Sequence, residues 1–429
     1  MRFPVPKRYL SHFFNRCFTT LPGSSRSLLP QSANNDHIIE AFCCLIKPYN
    51  QFEQDDLFLR LRSTRLPQKL PPAPPKELNS QTINDYVQAI TSCSYQYYPQ
   101  TEEYIDKTIN RLAQTSLLNL KSFNAITYYY TRKVDLKRCG EVRRLMVETS
   151  GTTPQIDNIN MFIQLHFKKH NHSKRLSLVS QELHDAMMME IKPNASTFYI
   201  LYTFLNGISS RECILEKMIA NRISLEPINN IIVKHKSENG ENVPQILLFL
   251  KEHHIDQGNQ VVNAIIECYL EDSKQDFLSA WKYMDECTEF KPNTKTIKVF
   301  VDYFNRRRQP YMSLSMISYL GDEHNIGDRS AFYIVMCEYL LDKNYKEWCV
   351  LAKYFYYLAG GRLSKYLKEC LQVKGKEYDV TFDVEDALKS EELEKMGEIS
   401  KGLTWQKPNV VLSENDDRYL EVVKKYFSS

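Results

Sequence analysis

Between Ile83 and Leu358 one pattern of apolar positions recurs eight times: an anchor, then apolar residues three, four and seven positions later. The anchors are Ile83, Phe123, Ile159, Phe198, Ile228, Val262, Ile297 and Phe332, spaced by 40, 36, 39, 30, 34, 35 and 35 residues. Ile83 leads Tyr86, Val87 and Ile90; Val262 leads Ile265, Ile266 and Tyr269; Ile297 leads Phe300, Val301 and Phe304. Such offsets gather side chains on one helical stripe, so each segment predicts an amphipathic helix. Three units are less regular: Phe123 has Thr127 in its set, and those of Ile159 and Ile228 end on His166 and His235.

After each anchored helix comes a polar or Gly/Pro break and a second amphipathic stretch. The second stretches include Thr101–Thr115, Leu136–Thr149, Lys174–Met189, Pro244–His254, Asp276–Cys287 and Tyr345–Leu358. Turns at Thr153-Pro154, Lys192-Pro193-Asn194 and Lys291-Pro292-Asn293 close units ahead of the next anchor, because proline ends one helix and opens the next. A fixed period near 36 residues with paired helices predicts an all-α solenoid of about eight helix-turn-helix units, each packed on its neighbours.

The residue after the anchor adds a chemical feature. It is Asn in five units (Asn84, Asn124, Asn160, Asn229 and Asn263), in a chain with 27 Asn among 429 residues. One step round a helix is about 100°, which turns this residue off the anchor stripe and towards the groove lined by the first helices. An amide carries both donor and acceptor, the equipment needed to meet the Watson–Crick edge of an unstacked base. The bland alternative for any one of them is a local capping bond near a helix start.

Composition refines this frame. Net charge is only +3, so contact with a polyanion has to come from a local face. Basic residues close three first helices in one register: Arg132-Lys133, Lys168-Lys169 and Arg306-Arg307-Arg308. Of these, Arg132, Lys133, Lys168, Lys169, Arg306 and Arg307 are the candidate phosphate contacts. The eleven cysteines include no CxxC and predict a reducing compartment without a disulfide framework. The first 35 residues hold Arg2, Lys7, Arg8, Arg16 and Arg26, no Asp or Glu, and interleaved Phe13, Phe14 and Phe18. That composition predicts a mitochondrial transit peptide, with a processing site near Arg16-Cys17-Phe18. No apolar run is long enough to span a bilayer. The expected organisation is a leader over 1–35, a helical segment and Pro-rich linker over 36–78, the repeat array over 79–361, and a C-terminal extension or cap over 362–429. Pro67, Pro71, Pro72, Pro74 and Pro75 mark the linker.

Paired helices of about 35 residues, an apolar-Asn dipeptide early in the first helix and a Pro-Asn turn closing the unit resemble the pentatricopeptide repeat family. The segments Lys192 to Leu201 and Ser122 to Tyr129 carry the resemblance best, and it covers roughly residues 80 to 360. The family's usual Gly in the inter-helix turn is mostly missing. The resemblance implies a right-handed superhelical array that reads single-stranded RNA, about one base per unit. It pairs the early residue of a unit with the unit's last: Asn124 with Gln155, Asn160 with Asn194, Tyr199 with Ser224, Asn229 with Gly258, Asn263 with Asn293, and Lys298 with Asp328. By that analogy the two Asn/Asn pairs favour pyrimidines, while Tyr199 and Lys298 depart from the pattern. The base-reading candidates are therefore Asn124, Asn160, Asn194, Tyr199, Asn229, Asn263, Asn293 and Lys298.

Catalytic signatures are missing: there is no GxxxxGK[ST], GxSxG or HExxH. His166, His170 and His172 cluster without Cys or His partners at zinc-ligand spacing. The acids Asp383, Asp386, Asp416 and Asp417 lack a surrounding α/β pattern. The expectation is a non-enzyme with no metal, cofactor, DNA partner or transmembrane segment. Its place would be the mitochondrial matrix or the periphery of the inner membrane, with the mitochondrial ribosome or inner-membrane-associated factors as further partners. The resemblance implies a factor of the fungal ATPase-expression type, required for translation or stability of one mitochondrial mRNA, such as an ATP synthase subunit transcript, through its leader. The alternative is a protein-interaction solenoid (an assembly factor or mitoribosome component), or an rRNA or intron processing factor.

Overall fold

A computed structural model describes residues 35–62, 71, 79–92, 99–113, 117–150, 154–169, 172–271, 277–307 and 310–326. Outside these lie the basic leader, the anchor Phe332, the helix expected over Tyr345–Leu358, Asp328, Arg308, His170 and the C-terminal extension, as does most of the proline stretch. The described residues contain helices and no strands. They fall into two compact units, 1–228 and 229–429.

The first unit contains α1 (Asn35–Ile46), α2 (Leu57–Arg62), α3 (Ser80–Thr91), α4 (Pro99–Ala113), α5 (Leu120–Arg132), α6 (Leu136–Ser150), α7 (Ile156–Lys169), α8 (His172–Met188), α9 (Ala195–Phe204) and α10 (Ile208–Ala220), then a 3-10 turn over Glu226–Ile228. From α3 onward the helices alternate. The anchored ones form a row in which α3 packs on α5, α5 on α7 and α7 on α9, and each also packs on the helix that follows it. The second unit repeats the arrangement with α11 (Asn229–Glu238), α12 (Val243–Glu252), α13 (Asn259–Glu271), α14 (Phe277–Glu286), α15 (Thr294–Arg306) and α16 (Pro310–Glu323). There α11, α13 and α15 make the row, with α12, α14 and α16 beside them.

Burial follows the apolar stripe. Ile83, Phe123, Ile159, Phe198, Ile228, Val262 and Ile297 are all 0–1% exposed. The helix starts have a shared chemistry. Asn79, Asn119 and Asn194 cap α3, α5 and α9 by accepting from the backbone N–H three residues on, and Asn242 does the same for α12. Thr82, Thr197 and Gln245 complete reciprocal capping boxes. Helix ends are equally regular. Val134, Glu190, Arg222 and His254 adopt left-handed backbone with φ of 53–57°, and the residue after each donates its N–H five residues back. This is the helix-terminating geometry that favours glycine. The turns therefore keep the conformation expected of a Gly where the sequence supplies another residue.

Residues 35–62 do not stand apart from the array. The helix α1 packs on α8 and α10, and α2 packs on α9. Phe42 and Phe52 meet the Phe198 ring edge-on at 4.9 and 5.0 Å. The described chain on both sides of residues 63–78 shares one compact unit.

Candidate nucleic-acid interface

In each anchored helix the residues two before, one after and five after the anchor are spaced i, i+3, i+7 and so share a face. This stripe lies beside the buried one and includes the Asn register. In α3 and α5 it consists of Gln81, Asn84, Gln88, Lys121, Asn124 and Tyr128. All but Tyr128 line an open cleft of about 530 Å3, joined by Asp85, Asn119, Leu120 and Gln155. Asn124 and Gln155, paired by the resemblance, thus face one cleft.

The amides of the cleft differ in availability. Asn84 is 2% exposed and fully engaged: its Nδ2 donates to the carbonyls of Ser80 and Leu117, while its Oδ1 accepts from Asn119 N–H at 3.0 Å and from the Ser122 hydroxyl. It brackets α3 to the start of α5, a structural role wider than the local capping bond expected of a lone Asn. Asn124 is half-buried and its Oδ1 has no protein partner. Gln155 and Lys121 are exposed.

Along α7 and α9 the same stripe is covered. Asn160 is 0% exposed and Tyr199 1%. Asn160 Nδ2 donates to Asn194 Oδ1 at 2.8 Å, so these two predicted partners do meet. Asn194 is also the N-cap of α9 and donates to Asp157 Oδ1 at 3.3 Å. Its orientation is set by those two partners, which leaves Asn160 Oδ1 as the amide oxygen without one. The cover is the strap of residues 53–62. Ala195 N–H donates to the Glu53 carbonyl at 2.9 Å, Ser196 N–H to Asp55 Oδ2 at 3.0 Å, and Phe58 N–H to Ser196 Oγ at 3.0 Å. The Tyr199 hydroxyl donates to the Ser224 carbonyl at 2.8 Å with Gln54 Oε1 at 3.3 Å. The Tyr128 hydroxyl donates to the Arg60 carbonyl at 2.8 Å. Leu57 and Leu61 pack on Met161, and the Phe58 ring lies 5.5 Å from that of Tyr199. Burying three large apolar side chains stabilises by roughly 5 kcal/mol or more, so the strap is a standing part of the surface. Burial beneath it, reinforced by Asp55, holds the Asp157 carboxyl above the usual carboxylate range.

The sequence placed every residue after an anchor towards a groove; the structure buries Asn84, Asn160, Tyr199 and Asn263. In the first unit the reason is the closeness of the next anchored helix together with the strap. In the second unit Asn263 Nδ2 returns to the Asn259 carbonyl at 2.9 Å, leaving Oδ1 without a partner. Asn293 Oδ1 accepts from Lys295 and Thr296 N–H at the start of α15. Asn229 accepts from Asn230 N–H and is half-buried, and Lys298 is exposed.

The basic candidates also divide. Lys133 is engaged inside the unit: its Nζ meets Asp106 Oδ2 at 3.3 Å, over the rings of Tyr129 and Tyr130. Lys169 donates to the Val134 carbonyl at 3.3 Å. Lys168 is exposed, and Arg132 lies 5.9 Å from the Tyr128 ring centroid. In the second unit Arg306 meets Glu271 at 3.8 Å and Arg307 stacks on Tyr303 at 4.7 Å. His166, from the sequence cluster, belongs to a buried charge set with Arg143 and Glu182 rather than to the stripe. Among the described residues no group of His, Cys, Asp and Glu is arranged to hold a metal ion, and no helix is long and apolar enough to cross a membrane.

No family model matches the sequence. The chain is 25% identical to ATPase expression protein 3 of Candida glabrata over an aligned length of 223 residues, covering 44% of this chain and 35% of that protein. The match thus spans about a third of the relative's length.

Proposed function

We propose that this chain is a non-catalytic factor that binds single-stranded RNA through an array of pentatricopeptide-type helix pairs, about eight in a right-handed superhelix. On this reading it acts in the mitochondrial matrix to promote translation or stability of particular transcripts, an ATP synthase subunit mRNA being the favoured class. The observation that carries the RNA reading is the open cleft between α3 and α5, lined by the amide side chains of Gln81, Gln88, Asn124 and Gln155. Amide groups on an exposed helix face are suited to the edges of unstacked bases. The similarity to ATPase expression protein 3 supports the choice of transcript class. The basic, acid-free first 35 residues support the compartment. The test is the pair Asn124→Ala and Gln155→Ala in one variant. Removing two polar base contacts, each worth about 1–3 kcal/mol, is expected to weaken binding of cognate single-stranded RNA at least thirtyfold with unchanged thermal unfolding. Unaltered affinity removes the cleft from the account.

A further inference from the structure

The strap shields the readers of α7 and α9, but its outer face is not inert. On the short helix α2, Leu57, Phe58 and Leu61 point into the unit, whereas Leu59, Arg60 and Arg62 are exposed. The Arg60 guanidinium sits 5.7 Å from the centroid of the Tyr128 ring, and Arg132 of α5 approaches the same ring at 5.9 Å. Arg62 lies over the Phe58 ring at 5.4 Å and donates to the Pro227 carbonyl at 3.4 Å. Lys168, on α7, is exposed, and desolvation and then the Arg132 charge lower its pKa from the ordinary value. Asp56 pairs with Arg60 at 3.1 Å, with both side chains more than half exposed; Asp157 lies beneath the strap. Two segments distant in sequence thus bring Arg60 and Arg132 to one aromatic ring, a concentration of positive charge that favours a polyanion.

We propose that the strap is itself part of the RNA-binding surface, with Arg60 and Arg132 forming a phosphodiester-binding site at Tyr128 and Arg62 and Lys168 flanking it. The position supports it, because Tyr128 stands one helical turn beyond Asn124 on the same stripe, about 6 Å along α5. A strand whose base enters the cleft at Asn124 carries its backbone directly over the outer face of α2. The strap thereby converts base-reading positions into a backbone track, which shortens the stretch of sequence this unit reads while keeping affinity. This rests on the RNA reading above, and the two fail differently.

The probe is a fluorescein-labelled single-stranded RNA of random sequence, about 20 nucleotides long, titrated by anisotropy at several salt concentrations. Two phosphate contacts contribute a slope of about 1.4 in log affinity against log salt, or about 25-fold in affinity at 0.1 M salt. The full chain carrying Arg60→Gln and Arg62→Gln is expected to lose on the order of that affinity and slope. Arg60→Lys with Arg62→Lys, which keeps the charge, is expected to retain the slope. Equal affinity and slope for wild type and the Gln variant overturn the inference and leave the RNA reading standing. So does tighter binding by the Gln variant, which would make the strap a competitor. Loss of slope in the Lys variant assigns the effect to the seating of α2 and overturns it as well. Absence of RNA binding by the wild-type chain overturns both readings.

Discussion

Arg143→Ala and Glu182→Gln are each expected to destabilise the first unit by about 3–5 kcal/mol, because each leaves a charge buried without its partner. Arg143 of α6 holds Glu182 of α8 through two parallel bonds of 3.0 Å, and His166 Nε2 of α7 lies 3.5 Å from the same carboxylate. Arg143 also stacks on Phe162 of α7 at 4.4 Å. Three helices are thus tied at one buried point. Burial alone would raise the Glu182 pKa, but Arg143 and the hydrogen bond from His166 prevail and hold it down to about 2. The sign follows from that depression. A folded pKa below the unfolded value of about 4.5 contributes stability present above pH 4.5 and lost as pH falls towards 2, on the order of 3 kcal/mol. Asp185, held up by burial, acts with the opposite sign and offsets part of this. Urea unfolding at pH 7, 5 and 3 checks it: Glu182→Gln should lower the midpoint at pH 7 and flatten the dependence below pH 5. Replacing both residues by apolar ones of similar volume should recover most of the loss. A wild-type midpoint in either single variant would remove the triad from the stability account.

Phe58→Ala carries the second large effect, expected at about 3–5 kcal/mol for a large aromatic removed from a packed site. Phe58 is 1% exposed, lies between Tyr199 and Arg62, and its N–H anchors α2 to Ser196. The loss should fall on the strap first. Amide exchange at Phe58 and Ala195, whose N–H groups tie the strap to α9, is then expected to accelerate at least a hundredfold, while Phe123 and Ile126 in the row of anchored helices change little. Uniform acceleration would mean that the strap opens only with the whole unit. Unchanged exchange would mean that Phe58 does not seat it.

The row of helices was legible because an apolar stripe of period near 3.6 obeys one force, burial, and seven anchors report it independently. The second helices agree to within two residues at Leu136–Ser150, His172–Met188 and Phe277–Glu286. The polar stripe was harder, because an Asn near a helix start serves a ligand or a cap with the same atoms. Asn84 turned out to bracket two helices, and Asn194 and Asn293 are bound into helix starts. A signal for this was present: Asn79, Asn194 and Asn293 each precede a Thr by three positions, the spacing of a capping box. The helices of residues 35–62 were expected, but the seat of the strap was not legible. Its placement depends on contacts between residues about 140 positions apart, such as Asp55 with Ser196, and no local periodicity encodes a partner at that separation.

The central claim is that an RNA strand occupies the stripe that begins at the Asn124 cleft. Ultraviolet crosslinking of the full chain in intact mitochondria, with sequencing of the attached RNA and mass spectrometry of the modified peptides, tests it most directly. The account predicts one or a few enriched organellar transcripts, with crosslinked residues between Gln81 and Tyr128 or on α2. Recovery of no enriched RNA, or crosslinks confined to surfaces away from that stripe, would contradict it.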